Sequence, residues 1–284
     1  MENSVRSAYE QELIDKVNSH KDSYLIWACG HKEFNINDDN VCSFNVNNEH
    51  SLQNICEYNK IFNEFTCWYY VWKNNLKTKY VATAHYNKIP TKIDSEKLDQ
   101  DFIQYFKLIH RFNYKTERYY SKEFALIHNQ MFELCAPEFI FDDILEYLHT
   151  QKTIDVNDII QYTKYTNSGY SIAQAELFGA KWDIYCDLVK FIDDYIKFIA
   201  NKYNLKNLED WKNHIANNVC SHYIDSEYMI QNNFMNMCYQ PYEKFKTIHN
   251  DDFGYSEMNN CWRIYGYTIE ILISVYIMTH KHFL

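Results

Sequence analysis

The sequence predicts an α/β protein with a mostly parallel sheet and a helix-rich C-terminal half, and three observations support this. Glycine and proline are scarce, at 5 and 3 of 284 residues, whereas a turn-rich sandwich or barrel needs more of both. Two short apolar runs flank a helical pattern within residues 24–85, as in a strand–helix–strand unit. Beyond residue 142, apolar residues recur mainly at helical spacing.

The first part of the chain is predicted to begin with a helix and a buried strand. Residues 1–22 are polar and form a helical lead-in. Tyr24–Cys29 is an apolar run that Gly30 stops, which is typical of a buried strand. The Asn/Asp-rich segment 35–48 is a loop that holds a short strand near residues 41–44.

An aromatic helix and a second strand follow this loop. Within 61–73, four aromatic side chains recur at helical spacing and predict one inward face: Phe62, Phe65, Tyr69 and Trp72. Lys79–His85 is a second buried strand, and Pro90 ends it. Ser95 is expected to cap a further helix, 95–112, because apolar residues again line one face.

Helices dominate the prediction for the rest of the chain. They cover residues 142–148, 155–165, 182–201, 208–220 and 265–278. Short strands are predicted at 130–135 and 229–238. No linker, repeat or change of composition divides the sequence, so we expect a single domain.

Charge and cysteine content exclude several functional classes. The net charge is −10 and no basic run is present, which argues against a nucleic-acid partner. The nine cysteines are odd in number and widely spaced without a CxxC pair, so we expect free thiols in a reducing compartment. Residues 1–12 are polar and show no signal peptide. These observations predict a cytoplasmic protein.

The apolar stretch 264–278 is the strongest hydrophobic segment of the sequence. It is interrupted by Glu270 and is shorter than the roughly 20 residues that a membrane-spanning helix needs. We therefore expect no membrane span, and interpret the segment as a core helix or as the interface of a homodimer.

Residues 24–88 carry an ordered series of motifs. His31-Lys32 follows the first predicted strand. After it come Asn54-Ile55-Cys56, Asn59, Asn63-Glu64-Phe65-Thr66, Trp68–Asn74 and His85-Tyr86-Asn87-Lys88. This series resembles the glycosyltransferase-like domains of capsular-polysaccharide and other surface-glycan loci, many of them annotated only as domains of unknown function. Their pattern runs His-Lys, Asn-Ile-Ser, Cys-Glu-Leu-Thr, Trp-Lys-Asn and His-Tyr-Arg-Arg. The match covers about a quarter of the chain.

Looser similarities lie at 175–186 and 263–272, and the departures from the pattern are informative. Asn87 and Lys88 stand where the family has two arginines. If those arginines hold the diphosphate of the donor, Asn87 weakens that role, because a neutral amide replaces a planar cation that binds in bidentate fashion. A changed donor or lost activity would follow.

The resemblance implies a GT-A-like nucleotide-diphospho-sugar transferase fold for a single domain, 1–284. Residues 24–165 would be the nucleotide-binding half and residues 166–284 the helix-rich acceptor half. The implied reaction moves a hexose from a nucleotide sugar, with UDP as the expected carrier, to a glycan acceptor in surface-polysaccharide or glycoconjugate synthesis. Two alternatives stay open: an inactive relative that binds glycans or scaffolds other enzymes, and a helical interaction module with coincidental motifs.

The resemblance and the chemistry together assign roles to individual residues. The predicted donor-binding residues are His31, Lys32, Asn54, Asn59, Glu64, Thr66, His85, Tyr86, Asn87 and Arg263. Lys88 would neutralise the departing diphosphate, Glu176 would act as the base, and Trp182 would form an acceptor wall. Each has a structural alternative: capping for Glu64 and Thr66, turn formation for the asparagines, and a core helix start for Glu176 and Trp182.

A metal site is not predicted. The one Asp-X-Asp pattern is Asp99-Gln100-Asp101, which falls inside a predicted helix where residues two apart point to different sides. A divalent metal, Mn²⁺ or Mg²⁺, remains an alternative that the pattern does not favour, because Lys88 offers cationic neutralisation instead.

Overall fold

A computed structural model of the chain describes residues 7–34, 36–90, 93–101, 103–105, 108–111, 138–151, 170–173, 178–220 and 262–280. The strands predicted at 130–135 and 229–238, the helix predicted at 155–165 and the predicted base Glu176 lie outside these residues.

The described part of the chain is a mixed α/β structure with a small sheet and many helices. Its elements are α1 (Ala8–Ser19), β1 (Tyr24–Gly30), β2 (Val41–Asn45), α2 (Asn59–Phe62), α3 (Phe65–Lys73), β3 (Tyr80–His85), α4 (Ser95–Asp99), β4 (Gln104–Tyr105), β5 (Leu108–Arg111), α5 (Glu138–Thr150), β6 (Tyr170–Ala173), β7 (Phe178–Lys181), α6 (Trp182–Tyr203), α7 (Leu208–His214) and α8 (Ile264–His280). A one-turn 3-10 helix, Cys56–Tyr58, precedes α2, and a π-helical segment, Ile215–Cys220, extends α7.

The main sheet has five strands in the order β2-β1-β3-β7-β4. β1 pairs in parallel with β2 and β3, whereas β7 runs antiparallel to both β3 and β4. The expected mostly parallel sheet is therefore right only for the first three strands. β7 comes from the predicted acceptor half yet lies beside β3, so the boundary at residue 165 does not separate two halves of the sheet. β5 and β6 form a separate two-stranded sheet.

Alternating side chains of β1 divide the core between the two faces of the sheet. Leu25, Trp27 and Cys29 belong to the larger apolar cluster, which also contains α3, α6 and α8. Ile26 and Ala28 face the smaller cluster, which β3 and α4 complete. On the larger side, Trp68 of α3 lies edge-on against Phe178 of β7, with 5.1 Å between ring centroids. Helices therefore lie on both faces of the sheet, and most side chains of β1, β2, β3 and β7 are buried.

The predicted helix 95–112 is wrong beyond its first turn. α4 ends at Asp99, and Asp101 has a positive φ of 65°. The next residues, 104–105, pair with β7, and 108–111 pair with β6. Strand pairing there satisfies the backbone groups that a helix would have used. The N-cap of α4 is Asp94 and not the expected Ser95, because the Asp94 side chain accepts from the Lys97 backbone amide at 3.2 Å.

α8 is a core helix. Its side chains at Ile264, Ile269, Leu272 and Val275 are fully buried within the chain. This packing favours the core-helix interpretation, because the helix lies against α2, α6 and β6. Among the described helices, none combines the length and apolar character needed to cross a membrane.

Candidate functional site

The ends of two parallel strands bring the predicted motifs together. β1 and β3 pair with Cys29 opposite His85. The Tyr86 amide donates to the Cys29 carbonyl at 3.0 Å. The His31 ring then lies edge-on to the Tyr86 ring, with centroids 6.1 Å apart. The segments that follow β1 and β3 therefore share one edge of the sheet, which we call the carboxyl edge.

Two asparagines from the end of β2 hold the segment after β1. The side-chain nitrogen Nδ2 of Asn45 donates to the Lys32 carbonyl at 3.2 Å. Nδ2 of Asn47 donates to the His31 carbonyl at 2.5 Å. Sequence reasoning missed both residues; the only signal was that they follow a short strand in an Asn-rich loop. They hold the backbone of the His31-Lys32 pair through its two carbonyl groups.

A tight turn forms the other side of the site. The Lys88 amide donates to the His85 carbonyl at 2.8 Å, and Asn87 and Lys88 are exposed. Nδ1 of His85 lies 2.5 Å from Oδ1 of Asn87. The Asn87 backbone nitrogen also lies near Nδ1, at 3.5 Å. The shorter contact is the stronger of the two, and because a carbonyl oxygen only accepts, it forms a hydrogen bond when Nδ1 carries the proton. The turn thus orients the His85 ring through the side chain of Asn87.

A break between α2 and α3 places a carboxylate next to that ring. Asn63 has a positive φ of 51°, and Glu64 occupies the N-cap position of α3. Oε1 of Glu64 lies 3.7 Å from Nε2 of His85, with both side chains largely buried. Glu64, His85 and Asn87 therefore form a continuous polar chain across the site.

Positive charge is concentrated around His31. Burial lowers the pKa of the His31 ring, and the charges of Arg263, Lys32, His85 and Lys60 lower it further. These five residues form what we call the basic cluster. Lys60, on α2, was missed by sequence reasoning, since a lone exposed lysine carries no distinguishing pattern. The cluster is locally basic although the chain as a whole is acidic.

Arg263 reaches this cluster from the far end of the sequence. It immediately precedes α8, and its carbonyl accepts from the Tyr267 amide at 3.0 Å. Burial raises the pKa of the Tyr267 hydroxyl, and the Arg263 charge beside it opposes that rise. The guanidinium is thus held at the start of a helix, where the helix dipole opposes a cation.

Aromatic rings form the rim next to the basic cluster. The Phe34 and Tyr86 centroids are 5.5 Å apart, and the His85 and Tyr86 centroids are 4.4 Å apart. Gly30 lies beneath them, because a Cβ there would approach Phe34 to 2.6 Å and Tyr86 to 3.1 Å. A side chain larger than hydrogen at position 30 would displace this rim.

Three predicted donor-binding residues form hydrogen bonds within the chain. The Asn54 side chain caps its own turn, donating to the Leu52 carbonyl at 2.9 Å. Thr66 is fully buried, and its hydroxyl donates to Oδ1 of Asn59 at 3.0 Å. The Thr66–Asn59 hydrogen bond joins α3 to α2, and the donor-binding role of the three residues stays a prediction.

Trp182, the predicted acceptor wall, lies at the opposite end of the sheet. Its amide donates to the Lys79 carbonyl at 3.2 Å, beside the start of β3. It is therefore separated from His85 by the length of β3, roughly 16 Å at about 3.3 Å per residue. Trp182 is 8% exposed and stacks on Tyr185. The structure thus separates it from the basic cluster.

The Asp-X-Asp pattern also lies away from the carboxyl edge. Asp99 accepts from the Tyr80 hydroxyl at 2.6 Å and pairs with Lys79 at 3.2 Å. Asp101 pairs with Lys181 at 2.6 Å. Both carboxylates are exposed. The expected long helix around them is wrong, because Asp99 is the last residue of the short helix α4 and Asp101 lies beyond its end. Within the described ranges, no three His, Cys, Asp or Glu side chains converge in a way that could hold a metal ion.

Comparison with known proteins adds little to this geometry. No family profile matches the chain, and no curated protein matches it. Among solved structures, the chain is similar to the apo structure of WbbM, a bifunctional glycosyltransferase, at 13% identity and a TM-score of 0.43. The alignment covers 92% of this chain and 43% of that one, so the chain spans less than half of its length. A likeness at this level leaves the functional assignment to the site itself.

Proposed function

We propose that this chain is a glycosyltransferase that moves a hexose from a UDP-linked nucleotide sugar to a glycan acceptor in surface-polysaccharide or glycoconjugate synthesis. The observation that supports the proposal is the basic cluster at the carboxyl edge of β1 and β3. Open α/β sheets bind ligands where parallel strands end. Grouped cations in a chain of net charge −10 suit a diphosphate.

The proposed site divides the work of the reaction among its parts. Negative charge grows on the diphosphate as the glycosidic bond breaks, and Lys32, Lys88 and Arg263 would neutralise it. The rim of Phe34 and Tyr86 would offer an apolar wall to the nucleoside. Glu176 remains the proposed base for the acceptor hydroxyl.

An inactive relative that binds nucleotide sugars is the second candidate. It is favoured by Asn87, which leaves one cation in the turn where the resembled family has two arginines. The interaction-module alternative loses support, because His31, Lys32, Glu64 and His85 lie at one edge and are not scattered over the surface.

Isothermal titration calorimetry with UDP and UDP-glucose tests the proposal. Lys32→Ala and His85→Ala should each weaken binding about tenfold or more, because a charge-assisted hydrogen bond contributes roughly 1.5–3 kcal/mol. Lys77→Ala is the matched control, since Lys77 is exposed near the start of β3, at the opposite end of the sheet. Circular dichroism verifies that each variant is folded.

Three outcomes would count against this assignment. Equal affinity in the parent, Lys32→Ala and His85→Ala would show that the basic cluster is not the donor site. Binding that disappears with EDTA and returns with Mn²⁺ would show that a metal, and not the cluster, neutralises the diphosphate. Binding of UDP without turnover of any donor would favour the inactive relative.

A further inference from the structure

The polar chain Glu64–His85–Asn87 has a geometry that the neutralisation of a diphosphate does not require. Asn87 accepts from Nδ1 of His85, with the two atoms 2.5 Å apart. In the neutral ring, a proton on Nδ1 leaves Nε2 with a lone pair. Nε2 is the nitrogen that faces Glu64. Two hydrogen-bond acceptors, an imidazole nitrogen and a carboxylate, then lie side by side.

The separation of these acceptors defines what can bind them. Nε2 of His85 and Oε1 of Glu64 are 3.7 Å apart, which is longer than an ordinary N–H···O hydrogen bond. Two acceptors at this spacing can each receive a proton from a different hydroxyl, about 2.8 Å away. Neighbouring hydroxyls on a sugar ring provide such a pair of donors.

We propose that Glu64 and Nε2 of His85 bind a vicinal diol of the nucleotide sugar, and that Asn87 holds His85 in the tautomer that makes this possible. The proposal rests on the proposed function and names the part of the donor that this side of the site recognises. The lysines and the arginine of the basic cluster take the diphosphate, whereas His85, through Nε2, and Glu64 take hydroxyls. A carboxylate is also the usual partner of ribose hydroxyls in dinucleotide-binding folds.

Asn87 thus has a function of its own, which is to position the His85 ring. An arginine at position 87 has no acceptor atom, so it cannot receive the proton of Nδ1. Asn87→Arg should therefore add charge for the diphosphate while losing control of the His85 ring. Asn87→Asp should keep that control, because a carboxylate oxygen also accepts. Asn87→Leu, close to asparagine in size, should lose it without adding charge.

Nitrogen NMR of the His85 ring tests the positioning role without any ligand. At a pH where the ring is neutral, protonated and unprotonated ring nitrogens have well-separated ¹⁵N shifts. The parent and Asn87→Asp should show the proton on Nδ1, whereas Asn87→Leu should move a large part of the population to Nε2. His85→Ala identifies the signals. An unchanged tautomer in Asn87→Leu would overturn the role of Asn87.

Binding measurements test the diol site and distinguish its two sources. Glu64→Gln is compared with Glu57→Gln, which removes an exposed carboxylate from the preceding 3-10 helix. If ribose is the ligand, Glu64→Gln should weaken UDP about tenfold and 2′-deoxy-UDP much less. If the hexose is the ligand, it should weaken UDP-glucose about tenfold and leave UDP unchanged.

The results separate failure of this inference from failure of the proposed function. If UDP, 2′-deoxy-UDP and UDP-glucose bind Glu64→Gln and Glu57→Gln alike, the diol site is overturned while the donor site stands. If the parent binds none of the three, the donor site and the diol site fall together. Asn87→Leu should reproduce the loss seen in Glu64→Gln, and Asn87→Asp should not.

Discussion

Lys88 is the residue on which the reaction would depend most directly. Its backbone is fixed, because its amide donates to the His85 carbonyl at 2.8 Å and the two residues form an isolated bridge. Its side chain is exposed, so it can reach a ligand at the carboxyl edge. The resemblance places two arginines in this turn, whereas here Lys88 is the one lysine or arginine among residues 85–88.

Lys88→Ala is expected to lower turnover by about a hundredfold or more, since a single preorganised group that stabilises developing charge contributes about that much. The fold and the affinity for the intact UDP-sugar should change far less, because the full charge of the leaving group develops only as the bond breaks. Hydrolysis and transfer rates with UDP-sugars measure this, with Lys77→Ala as the control. Turnover equal to that of the parent would rule out the leaving-group role.

A buried carboxylate in α1 supports the site from a distance. Glu10 is fully buried, and burial alone would raise its pKa. Hydrogen bonds from Ser51, the Leu52 amide and Tyr70 outweigh burial and hold the pKa of Glu10 below its usual range. This carboxylate connects α1 to the loop that follows β2. Asn45, the last residue of β2, and Asn47, in that loop, hold the His31-Lys32 backbone. The polar lead-in is thus part of the support for the site.

At the scale of elements, the break between α2 and α3 depends on a glycine in α8. A Cβ on Gly266 would lie 2.0 Å from Nδ2 of Asn63 and 2.7 Å from its Cγ. Asn63 is the residue whose φ of 51° ends α2 and sets the start of α3 at Glu64. The close approach of α8 to α2 therefore determines the position of Glu64, whose carboxylate belongs to the diol site.

Gly266→Ala is expected to destabilise the fold by about 1–3 kcal/mol, the usual cost of overpacking a well-packed contact. Asn63→Gly in the same chain should recover much of this loss, because it removes the clashing side chain and glycine accepts a positive φ without strain. Urea midpoints of the single and double variants measure both effects. A double variant no more stable than Gly266→Ala would show that Asn63 is not the obstacle.

α7 and α8 are joined by a buried histidine that responds to pH. Nε2 of His214 lies 2.7 Å from the Tyr265 hydroxyl, and the Asn218 amide lies 3.2 Å from its Nδ1. Burial lowers the pKa of His214 to about 4. The ring is therefore neutral in the folded protein over a range in which the unfolded chain binds a proton.

The sign of the pH effect follows from this difference. Between the unfolded pKa, about 6.5, and the folded value, the unfolded state binds more protons, so stability falls as the pH falls. His214 should account for about 1 to 2 kcal/mol of the stability lost from pH 7.5 to pH 5. His214→Phe should lower stability at every pH yet show a correspondingly weaker pH dependence in urea titrations. An identical pH dependence in parent and variant would contradict the prediction.

The elements that sequence reasoning found are those with a strong local period. β1, β3, α3 and α6 have long apolar runs or clear helical faces, and their bounds lie within a few residues of the prediction. β7 was missed because Phe178–Lys181 is four residues long and contains a glycine, so no period can develop. The helix expected at 95–112 failed because pairing with β6 and β7 overrode local propensity.

The residues of the candidate site also divide into those with a signal in the sequence and those without one. The resemblance, together with positions at strand or helix ends, singled out His31, Lys32, His85 and Glu64, and their donor-binding role stays a prediction. Lys60, Asn45 and Asn47 were missed because their positions depend on the path of the backbone and not on a local pattern. Trp182 was grouped with the site because a short sequence similarity says nothing about which end of a strand it adjoins.

At the scale of the whole molecule, the candidate site is assembled from segments that are far apart in sequence. The His31-Lys32 segment, the α2–α3 break, the turn after β3 and the start of α8 supply the cluster and the polar chain. α8 has to be packed in the core for Arg263 to reach this edge. A change that disrupts the packing of α8 should therefore also displace Arg263 from the site.

The packing of α8 leads to a prediction about assembly. If α8 formed a dimer interface, dissociation would expose its apolar surface, and the unfolding midpoint would rise with protein concentration. Because Ile269, Ile273 and Val275 are fully buried within one chain, we expect a midpoint that is independent of concentration over a hundredfold range. Ile273→Glu should unfold the protein, since it places an unpaired charge in the core. Light scattering across that range measures the oligomeric state, and thermal melts measure the unfolding midpoint. A dimeric parent that Ile273→Glu converts into a folded monomer would show that α8 is an interface after all.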